Sequence, residues 1–402
     1  MLQRHPPFKL SIPRISTLAI VFAAVLGVAS TGVGAHNALR STGSQDMQWS
    51  GVHLLLQHRD PWAEYLAGRR RIFALEQYPN YLPILYLLTV PLGLLTLDHA
   101  KVAWLLCNLL FAVSSSLLIT QFYGLRRRLS VLVLCLFLVA TPTRNTIGNG
   151  QTSLLILLLW SMSLLAPAMT DTRSAIAGIS YLKFNFAPPT FIYVLFRSGP
   201  RAILISALPS LAATLVAWLW LTGGHGPGIF ARILLEPVLV ATRGGYFPIG
   251  HNPNLMDIIE DILLTFHVSM NIVNVVTIAV AALLCGLILY KAMFRSANRT
   301  VQWHLALMAI MSVCLFRHHG YDSVVLLIPA AYALRLRACR EAQAVLALIA
   351  YVWYLQRLQE VFTRLDYSFV LTWIVLMLVL WFTYRLGLRT EDACPGIGFE
   401  TR

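Results

Sequence analysis

Long apolar runs recur from one end of the chain to the other, separated by short intervals rich in arginine, proline, glycine and amides. A helix needs about 20 such residues to cross the hydrocarbon of a bilayer. About twelve runs approach that length, at roughly 15–34, 81–97, 101–122, 129–143, 151–169, 174–196, 201–221, 271–292, 302–316, 321–336, 342–358 and 367–385. The alternation that marks barrel strands is absent. The pattern therefore predicts an all-α, polytopic membrane protein of about 12 membrane helices, some of them broken or re-entrant. No repeat of fixed period interrupts it, and residues 1–402 read as one membrane-embedded unit. The first run follows Arg4, Lys9 and Arg14 without a clear small-residue cleavage site, and reads as a retained signal-anchor helix.

The polar positions assign sides. Basic residues in short loops favour the cytoplasm. Twelve crossings with both termini inside satisfy the N-terminal cluster, Arg197/Arg201, Lys291–Arg299, Arg335–Arg340 and a cytoplasmic tail at 386–402. The long intervals 35–80 and 222–270 then fall on the non-cytoplasmic face. Arg126, Arg127 and Arg128 disagree with strict alternation, so either that loop breaks the rule or an apolar run between about 81 and 196 turns back. The proline-rich runs YPNYLPILYLLTVPLG and SYLKFNFAPP are the places for a broken helix, because proline removes a backbone donor.

Composition agrees with a bilayer setting: 57% of residues are hydrophobic, only 12% are charged, and the mean hydropathy is +0.68. A net charge of +14 whose arginines flank apolar runs fits attraction to anionic lipid better than binding of nucleic acid. The six cysteines lack paired spacing and read as small core residues, not as a zinc site or a disulfide frame.

Few ionisable groups remain to carry chemistry. Asp46, beside a membrane helix and close to Trp49, reads either as a helix cap or as a general base. The run HRDPWAEYL repeats the acid-plus-aromatic theme at Asp60, Trp62, Glu64 and Tyr65. In GNGQTSLLILLLW, Asn149 and Gln151 open an apolar helix, where amides either cap it or hold hydroxyls or a phosphate. Lys183 lies deep inside an apolar run, where an unpaired cation is costly, and a phosphate contact is the favoured role. Asn252, Asn254 and Asp257 occupy the second polar interval, either as caps of an amphipathic helix or as part of a cover over a substrate. Arg317, His318, His319, Tyr321 and Asp322 sit between two apolar runs, where a guanidinium and two imidazoles suit a phosphate leaving group. No strong metal-ligand spacing appears, so no metal is assigned, and the absence of nucleotide-binding fingerprints points to an activated substrate taken from the lipid, with no cofactor.

In order, these motifs resemble glycosyltransferase family 87, a group within the membrane-embedded GT-C glycosyltransferases that includes polyprenol-phosphate-mannose-dependent α-1,2-mannosyltransferases. The residues that carry the likeness are Asp46, the Asp60-Pro61-Trp62 run, YPNYLPILYLLTVPLGLL, GNGQTSLLILLL, Lys183, Asn252–Leu255 and HHGYD. Trp62, Asn80–Tyr81 and Phe184 depart from the usual pattern. The resemblance implies a polyprenyl-phosphate sugar donor, mannose foremost, and a lipid or glycan acceptor. It also implies transfer with inversion at the non-cytoplasmic face of a bacterial-type inner or plasma membrane. Asp46 would be the catalytic base, Lys183 and the histidine pair would bind the donor phosphate with Arg317, and Asp60, Trp62, Asn149, Gln151, Asn252, Asn254 and Asp322 would contact substrate. The rival reading is a transporter or flippase of a lipid-linked sugar.

Overall fold

The computed structural model describes residues 16–40, 47–166, 168–243, 254–296, 300–355 and 368–388, and every regular element among them is helical. Helix α1 (Thr17–Arg40) is followed by four short helices, α2 (Trp49–Leu56), α3 (Pro61–Leu66), α4 (Pro83–Leu88) and α5 (Val90–Gly93). Then come α6 (Leu97–Phe122), α7 (Arg127–Val139), α8 (Thr141–Gly148), α9 (Ser153–Ser163), α10 (Asp171–Ile179) and α11 (Ala187–Thr222). The remainder comprises α12 (Pro227–Arg243), α13 (Leu255–Thr265), α14 (Met270–Tyr290), α15 (Val301–Leu315), α16 (Leu327–Arg335), α17 (Arg340–Ala350) and α18 (Ser368–Leu388).

Among the described residues five helices are long and apolar enough to cross a membrane, and a sixth span results if α7 and α8, bent by 59°, count as one. The expected run at 81–97 is not a crossing. It breaks into pieces of 6 and 4 residues because Pro83 and Pro91 each start a helix, and the Thr89 hydroxyl satisfies the Leu85 carbonyl between them. The expected break near Lys183 is present: Ser180–Leu182 forms a 3-10 turn, Lys183 is extended, and α11 restarts at Ala187 with proline in its first turn.

Helix α11 is itself divided at Gly199, whose φ of 77° and ψ of −176° lie outside the helical region. Its contacts show two arms running opposite ways. From Lys183 the chain descends to Arg197, which donates to the Leu164 carbonyl at 2.6 Å. Beyond Gly199 it starts again with Arg201 paired to Asp171 at 2.7 Å. It then climbs past Tyr181, whose hydroxyl meets Ser206 at 2.9 Å, to Trp220, which donates to Leu55 O at 2.7 Å. The close approach of α10 to the rising arm requires Gly178, where an added Cβ would lie 1.7 Å from the Ser206 carbonyl oxygen.

The same tracing gives the molecule two ends. At one, Tyr123 donates to Gln302 O at 2.9 Å and Trp303 to Thr383 O at 3.0 Å, so the end of α6, the start of α15 and the end of α18 meet. Arg126–Arg128, directly after Tyr123, therefore share this end with Arg197, Arg201, Arg295 and Arg385. The arginine cluster that conflicted with strict alternation thus joins the other basic loops, because the pieces at 83–93 do not count as a crossing. At the opposite end Trp104 donates to Gly150 O at 2.7 Å and Trp353 to Ser323 O at 3.1 Å. Helix α15 joins the two ends and is buried on every side from Trp303 to Leu315, which suits a helix without a polar face. The reading of all the cysteines as unpaired fails at Cys339, which is disulfide-bonded, whereas Cys107, Cys135, Cys285 and Cys314 are free.

Candidate functional site

Three separate elements converge on one carboxylate. Asp322 follows α15 in a 3-10 turn, Gly320–Leu326, and is completely buried. Lys183, at the break before α11, donates from Nζ to Asp322 Oδ1 at 2.7 Å and to Ser153 Oγ at 3.2 Å. Ser153, in the first turn of α9, donates in turn to Asp322 Oδ1. On the other oxygen, His318 Nδ1 lies 2.9 Å away and the His319 backbone N–H donates at 3.3 Å. Since the carboxylate only accepts, Nδ1 of His318 carries the proton. The Lys183 ammonium also sits 5.0 Å from the centre of the Tyr321 ring, and His318 packs on Phe186 at 4.2 Å.

Such an arrangement resolves the cost of an ammonium in an apolar run, because the buried lysine has a buried counter-ion with its remaining lone pairs bonded. Burial holds both imidazoles below the ordinary histidine value, His319 down to about 4, although Asp322 favours their charged forms. At neutral pH they are therefore hydrogen-bonding groups and not cations.

Arg317 turns the other way. Its Nε donates to Asp257 Oδ1 at 2.7 Å and its terminal nitrogen pairs with Glu260, both on α13. Burial raises Asp257, with Arg317 opposing. Asn254 caps α13, accepting from the Asp257 N–H at 3.0 Å. Lys183 and Arg317, the two cations here, thus face three carboxylates, Asp322, Asp257 and Glu260.

Among the other expected site residues, Asp60 caps α3 by accepting from Ala63 N at 2.9 Å and pairs with Arg232 of α12 at 3.2 Å. Trp62 is buried, donating to Tyr81 O at 3.3 Å and meeting Tyr86 edge-on at 5.0 Å. Asn149 is exposed and Gln151 is buried in the turn before α9, the turn that delivers Ser153. Asp46 and Asn252 lie outside the described residues. Just after Asp46, Gln48 adopts a left-handed conformation (φ 56°) and its Oε1 accepts from the Tyr86 hydroxyl at 3.2 Å, a strained junction of the sort often found beside functional sites.

The structure thus brings Lys183, His318, His319 and Asp322 together, ties Arg317 to Asp257 and Glu260 of the adjoining α13, which Asn254 caps, and locates Asp60 and Trp62 on the α2–α5 unit. Sequence reasoning missed Ser153, Glu260 and the Arg232–Glu236 pair. Ser153 alone had a signal, the polar turn that precedes α9. Glu260 and Glu236 read as ordinary polar positions of amphipathic helices.

A family model, described as glycosyltransferase family 87, matches residues 78–316. No curated protein and no solved structure matches the chain.

Proposed function

Since that match covers more than half of its length, the chain belongs to glycosyltransferase family 87 and is a membrane glycosyltransferase, and from that premise we propose that its donor is a sugar, mannose foremost, on a polyprenyl phosphate. The acceptor is a lipid or glycan hydroxyl, and the transfer inverts the anomeric centre at the non-cytoplasmic face. The chain is of the GT-C type with about twelve crossings.

The observation that carries this reading is the buried Lys183–Asp322–His318 cluster with Ser153, at the end of the molecule opposite the basic loops. Basic loops favour the cytoplasm, which supports a cluster on the non-cytoplasmic side. In the reaction Asp46 takes the proton of the acceptor hydroxyl. The acceptor oxygen bonds to the anomeric carbon from one side as the bond to the phosphate oxygen breaks on the other, leaving its electron pair on the prenyl phosphate. Negative charge thus grows on the phosphate. Lys183 and the ring N–H of His319 meet it, while His318, its one ring proton held by Asp322, braces the site. Asp322 is a positioning residue: it fixes the Lys183 ammonium and the His318 tautomer without touching substrate. The prenyl chain stays in lipid and supplies affinity by burial.

The test is incubation of purified protein with radiolabelled polyprenyl-phosphate sugars and membrane lipids. Wild type transfers label, whereas Asp46→Asn binds donor and transfers none. Absence of transfer from every donor, or full transfer by Asp46→Asn, overturns the proposal.

A further inference from the structure

At the basic end of the molecule, away from the cluster just described, lies an open cavity of about 500 Å³ lined by Tyr193, Phe196, Arg197, Ser198, Phe294 and His304, among others. Its separation from the cluster follows from α15: His304 is one turn from the start of that helix and His318 just beyond its end, about 21 Å apart at 1.5 Å per residue. No step of sugar transfer reaches it.

The walls have two characters. Arg197 contributes a guanidinium whose position is fixed by the Leu164 and Ala166 carbonyls and by the Tyr193 hydroxyl at 3.2 Å. The guanidinium is thereby a planar cation held rigidly at the cavity wall, against the end of α9. Ser198 and His304 add polar groups, the latter oriented by a contact of Nε2 with Ala292 O at 3.3 Å. The remaining walls are rings: Phe196 lies 5.8 Å from Phe294, which in turn packs on Tyr290. Outside the cavity the apolar faces continue, with Leu204, Leu287, Tyr290 and Phe294 all exposed. An aqueous anion has no use for that wall, but an acyl chain does.

We propose that this cavity binds the phosphate headgroup of an anionic membrane phospholipid, with Arg197 on the phosphodiester and an acyl chain along the Phe196–Phe294–Tyr290 rings. Charge complementarity supports that occupant, because Arg295 flanks the same end and basic groups at a membrane surface attract anionic lipid.

Full-length protein is purified in mild detergent, lipid that stays bound is identified by native mass spectrometry, and thermal melting is followed as phosphatidylglycerol, phosphatidylcholine or soluble glycerol phosphate is added. Phosphatidylglycerol is expected to remain bound and to raise the melting temperature, with no effect of glycerol phosphate. Arg197→Gln should weaken the lipid by about tenfold or more, the usual consequence of losing a charge-assisted contact. Because Arg197 also caps α9, a second variant keeps the test independent of folding: Ala168→Trp fills the cavity from an exposed position on its rim. It should melt like wild type without lipid and lose the protection. Equal protection by phosphatidylcholine, equal protection by glycerol phosphate, or full retention of phosphatidylglycerol in Ala168→Trp each overturns the proposal.

Discussion

Lys183 and Asp322 form a buried ion pair 2.7 Å apart, and each makes the other tolerable. Removing one partner leaves an uncompensated charge in an apolar setting, which costs about 3–5 kcal/mol, whereas replacing both with apolar groups costs much less. Lys183→Met and Asp322→Leu are therefore each expected to lower stability by that order, and the double variant to recover most of the loss. Unfolding of all three in detergent checks it, additive losses counting against the pair. Lys183 was legible because an ammonium inside an apolar run demands an explanation. Its partner was harder to read, since Asp322 stands next to two histidines and resembles one more polar residue of a loop. Ser153 was obscured because a serine in the first turn of a helix also reads as a cap.

At the level of elements, α12 is held to α3 by Arg232, which lies 3.2 Å from Asp60 and 3.4 Å from Glu236. Burial and the nearby Asp60 push Glu236 up to about 7 from an ordinary 4.5, against the pull of Arg232. The folded protein therefore holds a proton that the unfolded chain has released, and its stability contribution is present below the ordinary value and lost as pH rises through about 7. Glu236→Gln should flatten this slope, and thermal melting between pH 5 and roughly 8 measures it; an unchanged slope would assign the pH dependence to other groups. Helix lengths were less legible than helix positions. The run at 81–97 looks like a span by hydropathy alone, but its prolines reduce it to two short pieces, whereas the breaks at Lys183 and at the Arg197–Arg201 junction follow from the prolines and glycine in those stretches.

For the molecule as a whole, the basic loops at one end and the Lys183 cluster at the other make sidedness measurable. Ala67, just after α3, and Thr172, in the first turn of α10, are exposed at opposite ends. With a membrane-impermeant thiol reagent on intact cells, Ala67→Cys should label, and Thr172→Cys only after permeabilisation. The reverse pattern would put the cluster on the cytoplasmic face. The apolar pattern made the helical membrane class legible at once. It could not show which short helices stop partway, because hydropathy does not record where a chain reverses. The gathering of Arg126–Arg128, Arg197, Arg201, Arg295 and Arg385 at one pole also makes the protein a dipole directed along the bilayer normal. With that pole inside an energised cell, an inverted copy would have to drag those arginines outward against the electrical potential, at about 2.3 kcal/mol per charge for every 100 mV, a cost that Arg69–Arg71, moving inward from the other pole, return only in part.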